Sequence, residues 1–148
     1  MVIKEIVEIL SQQNADFEIL KHDKPIKSKK DAIGYFKLEE TVPTLIIQTE
    51  KGFYAIIVSG EREKVDLEII RKLLDSEKIG FADRNELIKR FNFESGRVPL
   101  IGHGLPCIID NTILKYEYVY GGTGDFYHTL KIKPSDLVQA NNVIATFN

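Results

Sequence analysis

Two runs of β-forming residues, Thr44 to Thr49 and Phe53 to Ser59, are separated only by Glu50-Lys51-Gly52. That spacing predicts an antiparallel hairpin with glycine at the positive-φ position of its turn. Both runs are nearly continuously apolar, and a strand apolar on both faces has to be covered on both. The pair is therefore expected at the centre of a sheet with helices against it, an α/β arrangement and not an open sandwich.

The flanking sequence supplies the helices. Val2, Ile3, Ile6, Val7 and Leu10 recur at helical spacing until Asn14 and Asp16 break the pattern, and Phe17, Ile19 and Leu20 suggest a short strand. A second helix is expected from Ser28, where Ser28-x-x-Asp31 has capping-box spacing, and a third from Asp66 through Leu67, Ile70, Leu73 and Leu74. Ile79 to Ala82 reads as a strand, and Asp83-x-x-Glu86 as the cap of a helix carrying Leu87, Ile88 and Phe91. Further strands are expected at Pro106 to Asp110, Tyr116 to Tyr120 and Tyr127 to Ile132, with a helix opening at Pro134-Ser135-Asp136-Leu137.

With 148 residues, 43% of them hydrophobic, the chain has the size and apolar content of a single domain, 1–148. Its longest apolar runs fall far short of the roughly 20 residues that cross a bilayer, and the first residues lack the pattern of a signal peptide. The lone Cys107 permits no internal disulfide, so a cytoplasmic location is expected. Cys107 itself reads as a buried, inert thiol. The three histidines and this cysteine lack metal-ligand spacing, so neither a metal nor another cofactor is expected.

A net charge of −2 argues against an indiscriminate nucleic-acid binder. The charge is uneven, however. Lys21, Lys24, Lys27, Lys29, Lys30 and Lys37 face only Asp23 and Asp31 in their stretch, a local balance of +4. Such a stretch serves either as a solvated surface or as a phosphate-facing patch.

Two loops are rich in glycine. Gly96-Arg97-Val98-Pro99-Leu100-Ile101-Gly102-His103-Gly104-Leu105-Pro106 can be rigid without regular structure, and Gly121-Gly122-Thr123-Gly124 joins two strands. Both could line one pocket, or serve as turns alone.

The order of these segments resembles the YbaK/prolyl-tRNA-synthetase-associated family of aminoacyl-tRNA deacylases. The resemblance rests on Val42-Pro43-Thr44-Leu45-Ile46-Ile47, Tyr54 to Gly60, Val65-Asp66-Leu67, Gly96 to Gly102, His103-Gly104-Leu105-Pro106, Tyr118 to Gly122 and Pro134 to Leu137. It implies a mixed, partly antiparallel central sheet flanked by helices. It also implies a pocket for the aminoacyl 3′ end of a mischarged tRNA, whose ester is hydrolysed by a free-standing domain, with an aminoacyl-tRNA synthetase as a further partner. An aminoacyl ester is already activated, so a positioned water and oxyanion stabilisation suffice without metal or nucleophile.

By this resemblance the catalytic loop is centred on Gly96, Arg97 and Pro99. His22, Lys29, Lys30, Pro43, Ser59, Gly60, His103, Gly122 and Asp136 become candidates for substrate binding. The chain departs from the family at two places. The family's lysine before Thr-Leu is Pro43 here, which carries neither charge nor backbone donor. The loop reads Ser95-Gly96-Arg97 where the family has a glycine pair, so Arg97 or a lysine from the basic stretch would have to supply the cation. His22 and His103 could equally be ordinary loop residues, His128 is expected to be structural, and Asp136 could simply face a helix dipole. Three functions follow: an active deacylase, a non-catalytic domain that binds tRNA, aminoacyl-tRNA or a synthetase, or a ligand- or protein-binding domain that shares only the fold.

Overall fold

The computed structural model describes residues 2–93 and 98–148. The expected hairpin is present as β2 (Thr44–Thr49) and β3 (Gly52–Ile57), paired antiparallel from Thr44 opposite Ile57 to Thr49 opposite Gly52. Gly52 has φ +131°, a conformation that side-chain-bearing residues rarely adopt.

The hairpin is central to a five-stranded mixed sheet ordered β4-β2-β3-β5-β8. Here β4 is Ile79–Phe81, β5 is Pro106–Asp110 and β8 is Asn142–Phe147. β4 joins β2 antiparallel, while β3, β5 and β8 run parallel. A second, wholly antiparallel sheet contains β1 (Phe17–Lys21), β7 (His128–Ile132) and β6 (Val119–Gly122), in that order. The mixed, partly antiparallel α/β architecture is as expected, with part of the antiparallel pairing in a sheet of its own.

The continuous apolarity of β3 follows from two cores. Ala55 and Ile57 face one with Cys107, Ile109 and Leu130, while Ile56 and Val58 face the other with Ile108 and Ile70. Helix α1 (Val2–Gln12) contributes Ile6 and Leu10 to the first core, and α5 (Pro134–Ala140) contributes Leu137. Helix α3 (Leu67–Leu73) covers the second core through Ile70. Cys107 is buried in the first core as expected, and burial pushes its thiol up to about 12, away from the reactive thiolate.

Several local expectations need correction. Asp66 caps α3 by accepting from the Glu68 amide, but Ser28 and Asp83 flank α2 (Lys29–Ile33) and α4 (Arg84–Phe91) without a side-chain cap. In place of a cap from Ser28, Asp31 Oδ2 accepts from the Lys27 amide at 3.0 Å. The strand expected at 116–120 begins later, because residues 111–115 form a 3-10 turn capped by Asp110. β8 was not foreseen. Only Phe147 of that strand is buried, and a single residue separates it from α5. Among the described residues no helix is long and apolar enough to cross a membrane.

Asp110, fully buried at the end of β5, ties several of these pieces together. Its carboxylate accepts from the Ser59 amide (3.0 Å), the Thr112 amide (3.0 Å) and hydroxyl (2.7 Å), and Arg62 Nε and Nη2. The Arg62 guanidinium lies 5.1 Å from the ring centroid of Phe147 in β8. Burial alone would raise the Asp110 pKa, but Arg62 and the three other donors overcome it and hold the group below its ordinary 3.8. Asp110→Asn should therefore destabilise the fold by roughly 3 kcal/mol in urea titrations at neutral pH. A depressed folded pKa stabilises above the unfolded value, and that contribution is lost as pH falls through the folded value. The wild-type and variant stability curves should converge on acidification below about pH 4. Curves that stay parallel would show that the ionised pair contributes nothing.

Candidate functional site

The segment Thr41-Val42-Pro43 joins the two sheets. Extending the β2–β3 register sets Pro43 opposite Val58 and Thr41 opposite Gly60, and the amides of Val58 and Gly60 donate to the Pro43 and Thr41 carbonyls at 3.2 and 2.7 Å. The reciprocal bond from residue 43 cannot form, because proline has no N–H. On the other edge of the segment, the Val42 amide donates to Tyr120 of β6 at 2.8 Å. Farther along that edge, Ile46 accepts from Ala82, just beyond β4. Strand alternation directs the amide and carbonyl of Thr44 to this edge, between the places taken by β6 and β4.

A cleft of about 310 Å³ opens there. One wall is the chain from Ile26 to Phe36, including Lys27, Lys29 and Ala32. The floor is formed by Thr41 to Leu45 and by residues 120–122 of β6, with Val98 and residues 123–126, 128 and 129 completing the lining. Phe36 stacks on Tyr120 with centroids 4.5 Å apart, and both rings line the cleft. Thr44 Oγ1 is buried here without a hydrogen-bond partner among the described residues, a spare polar group in a mostly apolar floor.

Both glycine-rich loops meet at this place. The Leu100 amide donates to the Gly122 carbonyl at 2.9 Å, docking the 98–100 segment along β6. Cβ atoms on Gly121 and Gly122 would lie 2.6 Å from Leu100 Cδ2 and 2.7 Å from the Val98 carbonyl oxygen. These glycines stand within strand β6 and not in its turn, and close approach is what they provide.

Lys27 and Lys29 are the lysines of the basic stretch that line the cleft. Lys29 Nζ donates to the Arg62 carbonyl at 2.7 Å, so the Asp110–Arg62 pair fixes the loop on which this lysine rests. Lys27 Nζ lies 5.4 Å from the centroid of Phe126. Lys30, next along α2, is exposed. Asp125 and His128 also line the cleft, their Oδ2 and Nδ1 3.4 Å apart.

Of the other candidates, Pro43 and Gly122 line the cleft. Pro99 is buried between Val98 and Leu100, behind the lining, whereas Gly96 and Arg97 lie outside the described residues. Gly60 and Ser59 stand behind the seam. A Cβ on Gly60 would sit 1.9 Å from Thr41 Oγ1, and the Ser59 amide is held by Asp110. His22 stands outside the lining, but its Nε2 is 3.1 Å from Thr129 Oγ1. His103 is also outside it; its Nδ1 accepts from the Leu105 amide at 3.1 Å. Burial lowers the His103 pKa, against an opposing effect of Asn141. Asp136 accepts from the Asp16 amide at 3.0 Å and so ties α5 to the start of β1. Phe36, Thr44, Tyr120 and Thr129 are lining residues not singled out from the sequence. For Thr44 the signal in the sequence was a hydroxyl at the start of a largely apolar strand.

Residues 24–140 match the aminoacyl-tRNA editing domain. The chain belongs to this family. Among solved structures, the hypothetical protein APE2540 superposes with a TM-score of 0.85 at 22% identity, over 99% of this chain and 97% of that one. A candidate trans-editing enzyme for prolyl tRNA synthetase superposes with a TM-score of 0.82, also at 22% identity, over 97% of this chain and 94% of that one. At such identities the superpositions establish a shared fold, and the editing-domain assignment rests on the matched residues.

Gly122→Ala should cost about 1–3 kcal/mol in chemical denaturation, because the added methyl meets the Val98 carbonyl in a segment that the Leu100–Gly122 hydrogen bond holds against β6. Wild-type stability in the variant would show that the 98–100 segment yields freely.

Proposed function

We propose that this chain is an aminoacyl-tRNA deacylase that hydrolyses the ester of mischarged tRNA in trans. The observation that carries the reading is the cleft at the seam of the two sheets, in a chain of the editing-domain family, with Lys27 and Lys29 on one wall. The fold shared with a candidate trans-editing enzyme supports action on a separately charged tRNA.

In this reaction water adds to the ester carbonyl, the bond to the ribose oxygen breaks, and the ribose hydroxyl recovers a proton. The developing oxyanion needs donors, and ammonium groups aimed at it in a partly dehydrated cleft act strongly. Of the two lysines Lys29 is assigned this role, because the Arg62 carbonyl holds its ammonium in place through one N–H and leaves two others to donate. Lys27, against Phe126, suits a terminal phosphate. Together they supply the charge that Pro43 does not. Arg97, at the catalytic loop implied by the sequence, belongs to the same proposal, as does contact of the substrate with Pro43 and Gly122.

Pro43 also favours a second reading, in which the domain binds aminoacyl-tRNA or a synthetase without turnover. A panel of mischarged tRNAs separates the two. Single-turnover deacylation above the spontaneous rate is expected for at least one ester, and Lys29→Met should slow it by about 100-fold, the scale of losing one oxyanion donor. Salt-sensitive tRNA binding with no ester cleaved across the panel would overturn catalysis and leave binding.

A further inference from the structure

Thr129 lies on β7 directly opposite Gly122 of β6, and cross-strand partners share a face of the sheet. Tyr120, two residues before Gly122, is on that face too, stacked on Phe36. Gly122 carries no side chain, and the Val98 carbonyl oxygen takes the space its Cβ would fill, so Thr129 lines the cleft beside backbone groups. Its other neighbour is the buried ring of His22.

The hydrogen bonds of that ring fix which way the hydroxyl points. His22 Nδ1 is 2.7 Å from the Lys24 carbonyl, which can only accept, so Nδ1 carries the proton. In the neutral ring Nε2 is then an acceptor, and Thr129 must donate its hydroxyl proton to it across 3.1 Å. The Thr129 oxygen is left with lone pairs only for the cleft.

From this arrangement we infer that Thr129, oriented by His22, is the acceptor for the α-ammonium group of the bound aminoacyl ester. The inference rests on the editing reading of the cleft and adds to it a residue that recognises the amino group. An ammonium donates and never accepts, the complement of a hydroxyl whose proton is already committed. The stacked Phe36 and Tyr120 rings beside it favour a cation as well. Lys27 and Lys29, on the chain segment opposite this floor, repel an ammonium and attract carbonyl or phosphate oxygens. His22 is a positioning residue in this scheme, since it acts through Thr129.

The test measures binding, so it is independent of turnover. Two non-hydrolysable probes, 3′-glycylamino-3′-deoxyadenosine and its glycolyl counterpart, differ only in the α-ammonium group. Calorimetry should give a preference of about tenfold for the glycyl probe in the wild type, the scale of a charge-assisted hydrogen bond. T129V should abolish the preference, T129S should retain it, H22F should reduce it, and H22F/T129V should show no loss beyond that of T129V alone. Nitrogen chemical shifts of His22 should report the Nδ1-protonated tautomer. Equal binding of the two probes by the wild type, binding of neither, or a preference that survives T129V would overturn the inference. The last result would move the ammonium to Asp125. A preference that follows Thr129 in a protein that cleaves no ester would overturn deacylation alone.

Discussion

The three residues from Thr41 to Pro43 hydrogen-bond to both sheets at once, and the position of the cleft depends on that sharing. One edge of the segment continues the β2–β3 ladder to Val58 and Gly60, and the other takes up β6 through Tyr120. Because β4 leaves the same edge of β2 beyond Ile46, a gap remains at Thr44. The cleft is thus a consequence of strand order and needs no special loop to create it. Gly60 is part of the same constraint, since any side chain there would collide with Thr41.

Electrostatics enters from behind the seam. Asp110 is buried and surrounded by donors, and Arg62, half of that ion pair, presents its carbonyl to Lys29. A structural ion pair beside the second core, where Arg62 lies against Phe147, is thereby linked, through one loop, to a cation on the wall of the cleft. Pro43 removes a backbone donor and brings no charge. The lysines on the 26–36 wall bring positive charge to the cleft from a different side.

Much of the fold was legible because β2, β3 and β5 are apolar on both faces and α1, α3 and α5 carry apolar residues at helical spacing. β8 was not, because a strand whose residues are mostly part-exposed and which follows a helix after one residue has neither a pattern nor a turn to mark it. The lining of the cleft was legible where glycine or charge marked it, at Gly122 and Lys29. Ser59, Gly60 and Asp136 stand out in the sequence for reasons that the structure gives as packing and hydrogen bonding. Thr44 and Thr129 could not be found beforehand. Their importance lies in an unpartnered oxygen and in a proton committed to a histidine from a distant strand end, neither of which composition or spacing encodes.

The proposed function requires the cleft at the seam to receive the aminoacyl end. Amide chemical-shift mapping with a non-hydrolysable aminoacyl-adenosine probe tests this most directly. Perturbations should concentrate at residues 41–45, 98–100 and 120–129, with those around His103 and Asp136 unmoved. Perturbations centred on His103 or Asp136, with the seam unaffected, would contradict it.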